Sequence, residues 1–105
     1  DTLDFSGDIC SAAADGTGEY VACADFGRIN QAYGDSATVN LTYQSSPDAI
    51  TSMFFWSTGY SGLSRVAYGD TNATPTILIV PTTGQAVTLA SFQLGSWNNL
   101  DRDRR

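Results

Sequence analysis

Turn-forming residues divide this sequence into pieces too short for a helix. Apolar segments recur at intervals of roughly 8–12 residues and are separated by Gly, Pro, Asn and Asp. No segment of about ten residues carries the hydrophobic spacing of a helix. The pattern predicts an all-β chain folded as an antiparallel β-sandwich or a jelly roll. At 105 residues the chain has the length of one such domain, covering 1–105.

The predicted strands differ in their hydrophobic patterns. In 37–43, apolar and polar residues alternate, which is typical of a strand with one buried face. In 76–80, a continuous aliphatic run ends at Pro81 and predicts a fully buried strand. We expect a further, longer strand over 86–94.

The densest aromatic cluster of the sequence lies in 50–70. We expect 50–56 to be a strand that is bulky on both faces, and the core to assemble around it. Two glycines predict that 57–64 is a loop. The aromatic residues of the segment are Phe54, Phe55, Trp56, Tyr60 and Tyr68.

Cys10 and Cys23 are the only cysteines, and the chain has no histidine. Two cysteines cannot complete a four-ligand zinc site, so a disulfide is predicted in preference to free thiols. A disulfide indicates an oxidising compartment: the periplasm, the cell surface or the outside. The chain begins at Asp1 rather than Met, which we interpret as a mature chain after removal of an export signal, or as a fragment.

Two sequences fit the acceptor pattern for N-linked sugars. They begin at Asn40 and Asn72, and each has threonine two positions later. In a glycosylating host both asparagines could carry sugars, and the frequent Ser and Thr residues could carry O-linked ones.

The residue types present leave little catalytic chemistry. Without histidine or lysine there is no histidine-based triad, no Schiff base and no P-loop. Glu19 is the only glutamate, and no spacing pairs it with a second carboxylate as a glycosidase requires. We therefore expect no enzymatic activity and assign no catalytic residue.

Calcium is the one cofactor that the sequence leaves open. Aspartates could supply oxygen ligands for it, although none forms an EF-hand loop. We expect no other cofactor and assign no metal site. The aspartates concerned are Asp4, Asp8, Asp15, Asp35, Asp70, Asp101 and Asp103.

A set of short motifs extends over most of 8–98. It consists of Cys10, Cys23, Tyr33-Gly34-Asp35, Trp56-Ser57-Thr58-Gly59-Tyr60, Val66-Ala67-Tyr68 and the pattern Pro81-x-x-Gly84-x-x-Val87-x-Leu89-x-x-Phe92-x-Leu94-Gly95. Together these motifs resemble the extracellular domains of bacterial proteins that carry a PEP-CTERM sorting tail. The resemblance implies bacterial export, a jelly-roll β-sandwich and association with exopolysaccharide or biofilm matrix. It supplies no catalytic residues.

The sequence departs from that family after 92–95. The additional strands usual in such domains and the sorting tail itself are both missing. The resemblance therefore implies an incomplete sandwich with unpaired edges, which a neighbouring subunit would complete. A contact between two different surfaces of this kind would build a filament.

We expect a secreted, non-catalytic structural protein of the extracellular matrix or cell surface, which self-associates into a homo-oligomer or filament through β-edges. The alternative is a carbohydrate-binding module that recognises extracellular polysaccharide through Trp56, Tyr60 or Trp97. For Trp56, a place in the core is favoured over sugar contact. A net charge of −6 and the lack of lysine argue against nucleic-acid binding. No apolar run of about 18 residues is present to insert into a membrane.

Overall fold

Six short strands form two antiparallel sheets in the computed structural model, which describes residues 2–46, 50–58, 63–69, 74–82, 84, 86–89 and 91–93. One sheet has the order β1-β2-β4-β5, and the other pairs β3 with β6. The described residues contain no helix, so the predicted all-β class is confirmed. A jelly-roll sandwich stays a prediction. The strands are β1 (Cys10–Ser11), β2 (Arg28–Ile29), β3 (Val39–Gln44), β4 (Phe54–Trp56), β5 (Val66–Tyr68) and β6 (Thr76–Pro81).

One small core draws its side chains from both sheets. β1, β2 and β4 contribute from the four-stranded sheet, and β3 contributes from the other. Partly buried side chains from the N-terminal segment and the loops pack around this cluster. The buried apolar residues are Ile9, Cys10, Ile29, Leu41, Tyr43, Met53 and Phe55.

β3 follows the alternation predicted for 37–43. Leu41 and Tyr43 are buried, whereas Asn40, which directly precedes Leu41, is exposed. The turn before the strand depends on Gly34, whose φ is 89°. A Cβ at that position would lie 2.4 Å from Cδ1 of Leu41, so any larger residue would have to displace that side chain as well as adopt a strained φ.

The predicted disulfide between Cys10 and Cys23 is present, with the two Cα atoms 5.2 Å apart. Val21 sits beside it and exchanges both backbone hydrogen bonds with Cys10, at 3.1 and 2.8 Å. The loop between the cysteines is thus closed twice, once covalently and once by a β-bridge. A cross-link over a separation of 13 residues contributes about 3 kcal/mol to stability.

The aromatic segment 50–56 is a strand only in its second half. Met53 and Phe55 are buried, while Phe54 and Trp56 on the opposite face are half-buried. This two-sided bulk agrees with the prediction. The start of the segment does not, because Ile50 is 88% exposed and lies outside any strand.

The prediction that 76–80 is a buried strand is wrong in its burial. β6 forms there, but its four aliphatic side chains, 77 to 80, are between 38% and 52% exposed. An aliphatic run is buried only where neighbours cover both of its faces. β6 has one described neighbour, β3, and lies one strand beyond the core.

The prediction of a strand over 86–94 is also wrong for the residues that the structure describes. Residues 86–89 and 91–93 lie in no strand, and Val87, Leu89 and Phe92 are exposed. A pattern of apolar residues shows a preference for strand structure, but a strand forms only when its backbone pairs with a neighbour, and 86–89 and 91–93 pair with none of the described strands. Leu94 lies outside the described residues.

Tyr43 is the largest fully buried side chain of the core. Its hydroxyl donates to the carbonyl oxygen of Tyr33 at 2.8 Å, and the two rings stack 6.4 Å apart. Burial, and next to it the neighbouring Tyr33 and Asp35, raises the pKa of the Tyr43 phenol. The folded chain therefore keeps this proton at pH values where the unfolded chain releases it.

We predict that stability is insensitive to this group up to about pH 10, the pKa of tyrosine in an unfolded chain, and falls above it. The unfolded state then binds fewer protons than the native state, so rising pH favours unfolding. Urea unfolding of the wild type and of Tyr43→Phe, measured on both sides of that pH, checks this. The variant should lose about 1 kcal/mol at neutral pH with its hydrogen bond, but fall less steeply in alkali. Equal alkaline slopes would contradict the prediction.

Candidate functional site

The outer edge of β3 is closed by two side chains. The Leu41 N–H donates to Oδ1 of Asp35 at 2.7 Å, and the Tyr43 N–H donates to Oε1 of Gln31 at 2.8 Å. Nε2 of Gln31 donates back to the Tyr43 carbonyl at 2.8 Å. The Gln31 carboxamide thus makes the pair of bonds that a residue of a neighbouring strand would make. No further strand can pair with β3 at Tyr43.

These bonds determine which backbone groups of β6 face outward. Because amide directions alternate along a strand, the groups of β3 that face β6 belong to the even-numbered residues. The bonded pairs are Asn40 with Val80, Thr42 with Leu78 and Gln44 with Thr76. The bond from the Thr82 N–H to the Thr38 carbonyl, at 2.9 Å, continues the series. The N–H and C=O groups of Ile77 and Ile79 therefore point away from β3.

This outward side of β6 is the candidate assembly edge. Within the part of the chain that the structure describes, no strand lies along it. Its side chains are the exposed aliphatic residues 77 to 80. No charged residue occurs anywhere in 71–100, although the whole chain carries −6. Edge strands are usually blunted by charges, and this one has none.

A second surface is formed by rings from β4, β5 and the turn before β2. We call Phe26, Phe54, Trp56 and Tyr68, together with Arg28, the aromatic cluster. Phe54 stacks on Tyr68 with ring centroids 5.1 Å apart, and Phe26 meets Trp56 edge-on at 4.8 Å. The Arg28 guanidinium lies 3.6 Å from the centroid of the Phe54 ring. Its Nη1 also donates to the Ser52 carbonyl at 2.7 Å.

Phe26 is the exposed member of the aromatic cluster. It is 67% exposed, and its φ of 69° is unusual for a bulky residue. The Phe26 N–H donates to the Phe55 carbonyl at 3.1 Å, and the Phe55 N–H donates to the Gly27 carbonyl at 2.7 Å. These bonds anchor the turn to β4 and hold the ring out from the surface.

The predicted glycan-binding residues are only partly described. Trp56 is half-buried on β4 and belongs to the aromatic cluster, so it is neither a core residue nor a free platform. Tyr60 and Trp97 lie outside the described residues. Of the two predicted glycosylation positions, Asn40 is exposed on β3, and Asn72 lies outside the described residues.

Four of the described carboxylates, those of Asp4, Asp15, Asp25 and Asp35, accept hydrogen bonds from within the chain. Oδ1 of Asp15 accepts from the Thr17 hydroxyl and N–H, and Oδ1 of Asp4 does the same with Ser6. These bonds lower the pKa of both carboxyls. Among the described residues, no group of three or more His, Cys, Asp or Glu side chains comes together to hold a metal ion. Of the aspartates considered for calcium, Asp70, Asp101 and Asp103 lie outside the described residues.

The sequence alone does not indicate the residues that shape both surfaces. Gln31 and Asp35 belong to a turn, and nothing in their spacing shows that they bond to β3. Phe26 and Arg28 stand in 25–33, whose spacing also fits one helical turn, although its length and flanking glycines argue against a helix. Their aromatic and cationic types were visible, but their meeting with β4 depends on the fold.

Comparison with known proteins found no relative. No family model matches the chain, and neither the curated proteins nor the solved structures contain a match. The resemblance to PEP-CTERM-type domains therefore stays a prediction. None of the described residues forms a helix long and apolar enough to cross a membrane.

Proposed function

We propose that this chain is a non-catalytic structural subunit of an extracellular matrix or cell surface, which self-associates through the edge of β6. The observation that carries the proposal is the outer edge of that strand, which is uncharged and pairs with no other strand among the described residues. Outward N–H and C=O groups of Ile77 and Ile79 offer backbone bonds, and the aliphatic side chains around them offer apolar contact. An edge of this composition is a template for another strand.

The energetics favour a strand as the partner. An N–H group that exchanges water for a backbone carbonyl contributes about 0.5–1.5 kcal/mol net. The larger contribution comes from the aliphatic side chains, since burying one fully is worth about 1.5–3 kcal/mol and these are already partly covered. Added salt should strengthen association, because it screens the repulsion between chains that each carry −6.

The location outside the cell is supported by the disulfide. A cross-link between Cys10 and Cys23 persists where the surroundings are oxidising. It leaves no free thiol, since the chain has no other cysteine. Assembly would therefore proceed without exchange of this disulfide.

We predict that Ile79→Lys weakens self-association by at least about tenfold, which corresponds to about 1.4 kcal/mol. A charge beside the edge must lose its hydration when a second strand approaches. Light scattering coupled to size-exclusion chromatography, over a wide range of concentrations, measures the effect. The matched control is Ile50→Lys, which makes the same change at an 88% exposed position outside any strand. Equal weakening by both variants, or a wild type that is monomeric throughout, would contradict the proposal.

The aromatic cluster favours a second candidate function, in which the subunit also contacts polysaccharide. Sugars stack on aromatic faces and bond to polar groups beside them. Phe26 offers an exposed ring, and the Arg28 guanidinium beside Phe54 keeps donors that its bond to Ser52 does not use. The negative charge of the chain favours neutral sugars over acidic ones.

We predict that Phe26→Ala reduces retention on a neutral polysaccharide by at least about tenfold, the effect of about 1.4 kcal/mol. Affinity electrophoresis in gels containing a soluble β-glucan or galactomannan measures it. Phe92→Ala is the control, because Phe92 is 68% exposed and lies outside the aromatic cluster. Retention of the wild type that Phe26→Ala leaves unchanged would exclude this cluster as the sugar site.

A further inference from the structure

We infer that two copies of this chain pair β6 with β6, antiparallel, around a two-fold axis that passes beside Leu78. The inference rests on the proposed self-association and specifies its partner, register and symmetry. The outward backbone groups belong to the odd-numbered residues of β6 and its flanks. These are Pro75, Ile77, Ile79 and Pro81.

The two prolines select the register. Pairing Ile77 with Ile79 of the second copy, and Ile79 with its Ile77, engages both N–H and both C=O groups of each isoleucine. Pro75 then lies opposite Pro81 of the second copy, where neither residue has an N–H to leave unpaired. The ladder therefore ends at a proline on each side. Each copy donates two N–H groups, and the pairing forms four backbone hydrogen bonds.

Registers shifted by two residues are poorer. An axis at Ile77 sets Ile79 against Pro75 of the second copy, and an axis at Ile79 sets Ile77 against Pro81. In both cases a proline faces an isoleucine carbonyl and cannot donate to it. The overlap of the aliphatic segment also shortens. Only the axis at Leu78 places the whole of residues 76 to 80 opposite itself.

The electrostatics favour a second copy at this strand. Two chains of −6 repel each other, and the repulsion is least where neither carries charge nearby. β6 and the sequence around it, 71–100, contain no charged residue, and the Asp35 carboxylate that bonds to β3 lies on the side of β3 away from β6. A charged partner strand would find no opposite charge there to pair with. An identical strand presents the same uncharged, aliphatic side chains.

The pairing closes on itself. Joining two copies gives a four-stranded sheet in the order β3, β6, β6, β3, with a β3 at each outer edge. Those edges are already occupied by Gln31 and Asp35. The sheet cannot add another copy at that point, so this contact makes a dimer. A filament would have to join such dimers through another surface.

Cysteine cross-linking tests the register directly. In the inferred dimer, Leu78 faces Leu78 of the second copy as a non-hydrogen-bonded pair, with Cα atoms about 4.5 Å apart, within reach of a disulfide. Val80 of one copy faces Thr76 of the other, and the two Val80 residues are about 14 Å apart. Under mild oxidation, Leu78→Cys should form covalent dimers at least ten times faster than Val80→Cys or Thr76→Cys alone. A mixture of Val80→Cys and Thr76→Cys should give the mixed dimer.

The possible results distinguish the inferred register from the proposed self-association on which it rests. Light scattering that shows only monomer would overturn both. Association together with faster self-cross-linking of Val80→Cys or Thr76→Cys, or with equal rates at all three positions, would overturn the register and leave self-association standing. The mixed pair tests the same register without changing Leu78, so a poorly folded Leu78→Cys does not remove the test.

Discussion

A glutamine side chain takes the place of a strand beside β3, and the shape of the smaller sheet depends on it. Gln31 bonds to both the N–H and the C=O of Tyr43, and Asp35 bonds to the N–H of Leu41. These contacts satisfy three backbone groups on the side of β3 that faces away from β6. They also hold in place the two β3 residues that enter the core. Since that side is closed, the sheet has one remaining side for growth, along β6.

β6 combines the aliphatic composition of a buried strand with the exposed position of an edge strand. Its aliphatic side chains suit a covered strand, but they are exposed on both faces. It has no charged residue to discourage pairing, and prolines stand at 75 and 81. Prolines at the ends of an edge strand limit the length of any ladder without preventing it. The strand is therefore suited to a short, specific pairing rather than to open-ended stacking.

The parts of the fold that could be predicted from the sequence are those with local signals. Alternation located β3, the two cysteines predicted the disulfide, and the turn residues indicated an all-β chain. The burial of β6 could not be predicted in this way. An aliphatic run indicates that a strand favours a buried position, but it does not show whether other elements of the fold pack over it. Phe26 belongs to the aromatic cluster because its backbone adopts a positive φ in a turn, and the hydrophobic periodicity of the sequence does not reveal such a conformation. The role of Gln31 depends on a contact between residues 12 apart whose side chain and backbone meet only in the folded chain.

Amide hydrogen exchange at β6 tests the central claim most directly. The amides of Leu78 and Val80 bond to β3 and should be protected at every protein concentration. Those of Ile77 and Ile79 face outward and should exchange rapidly in dilute solution, then become protected as the concentration rises. The contradicting result is rapid exchange at Ile77 and Ile79 in a solution where light scattering shows that the copies are associated.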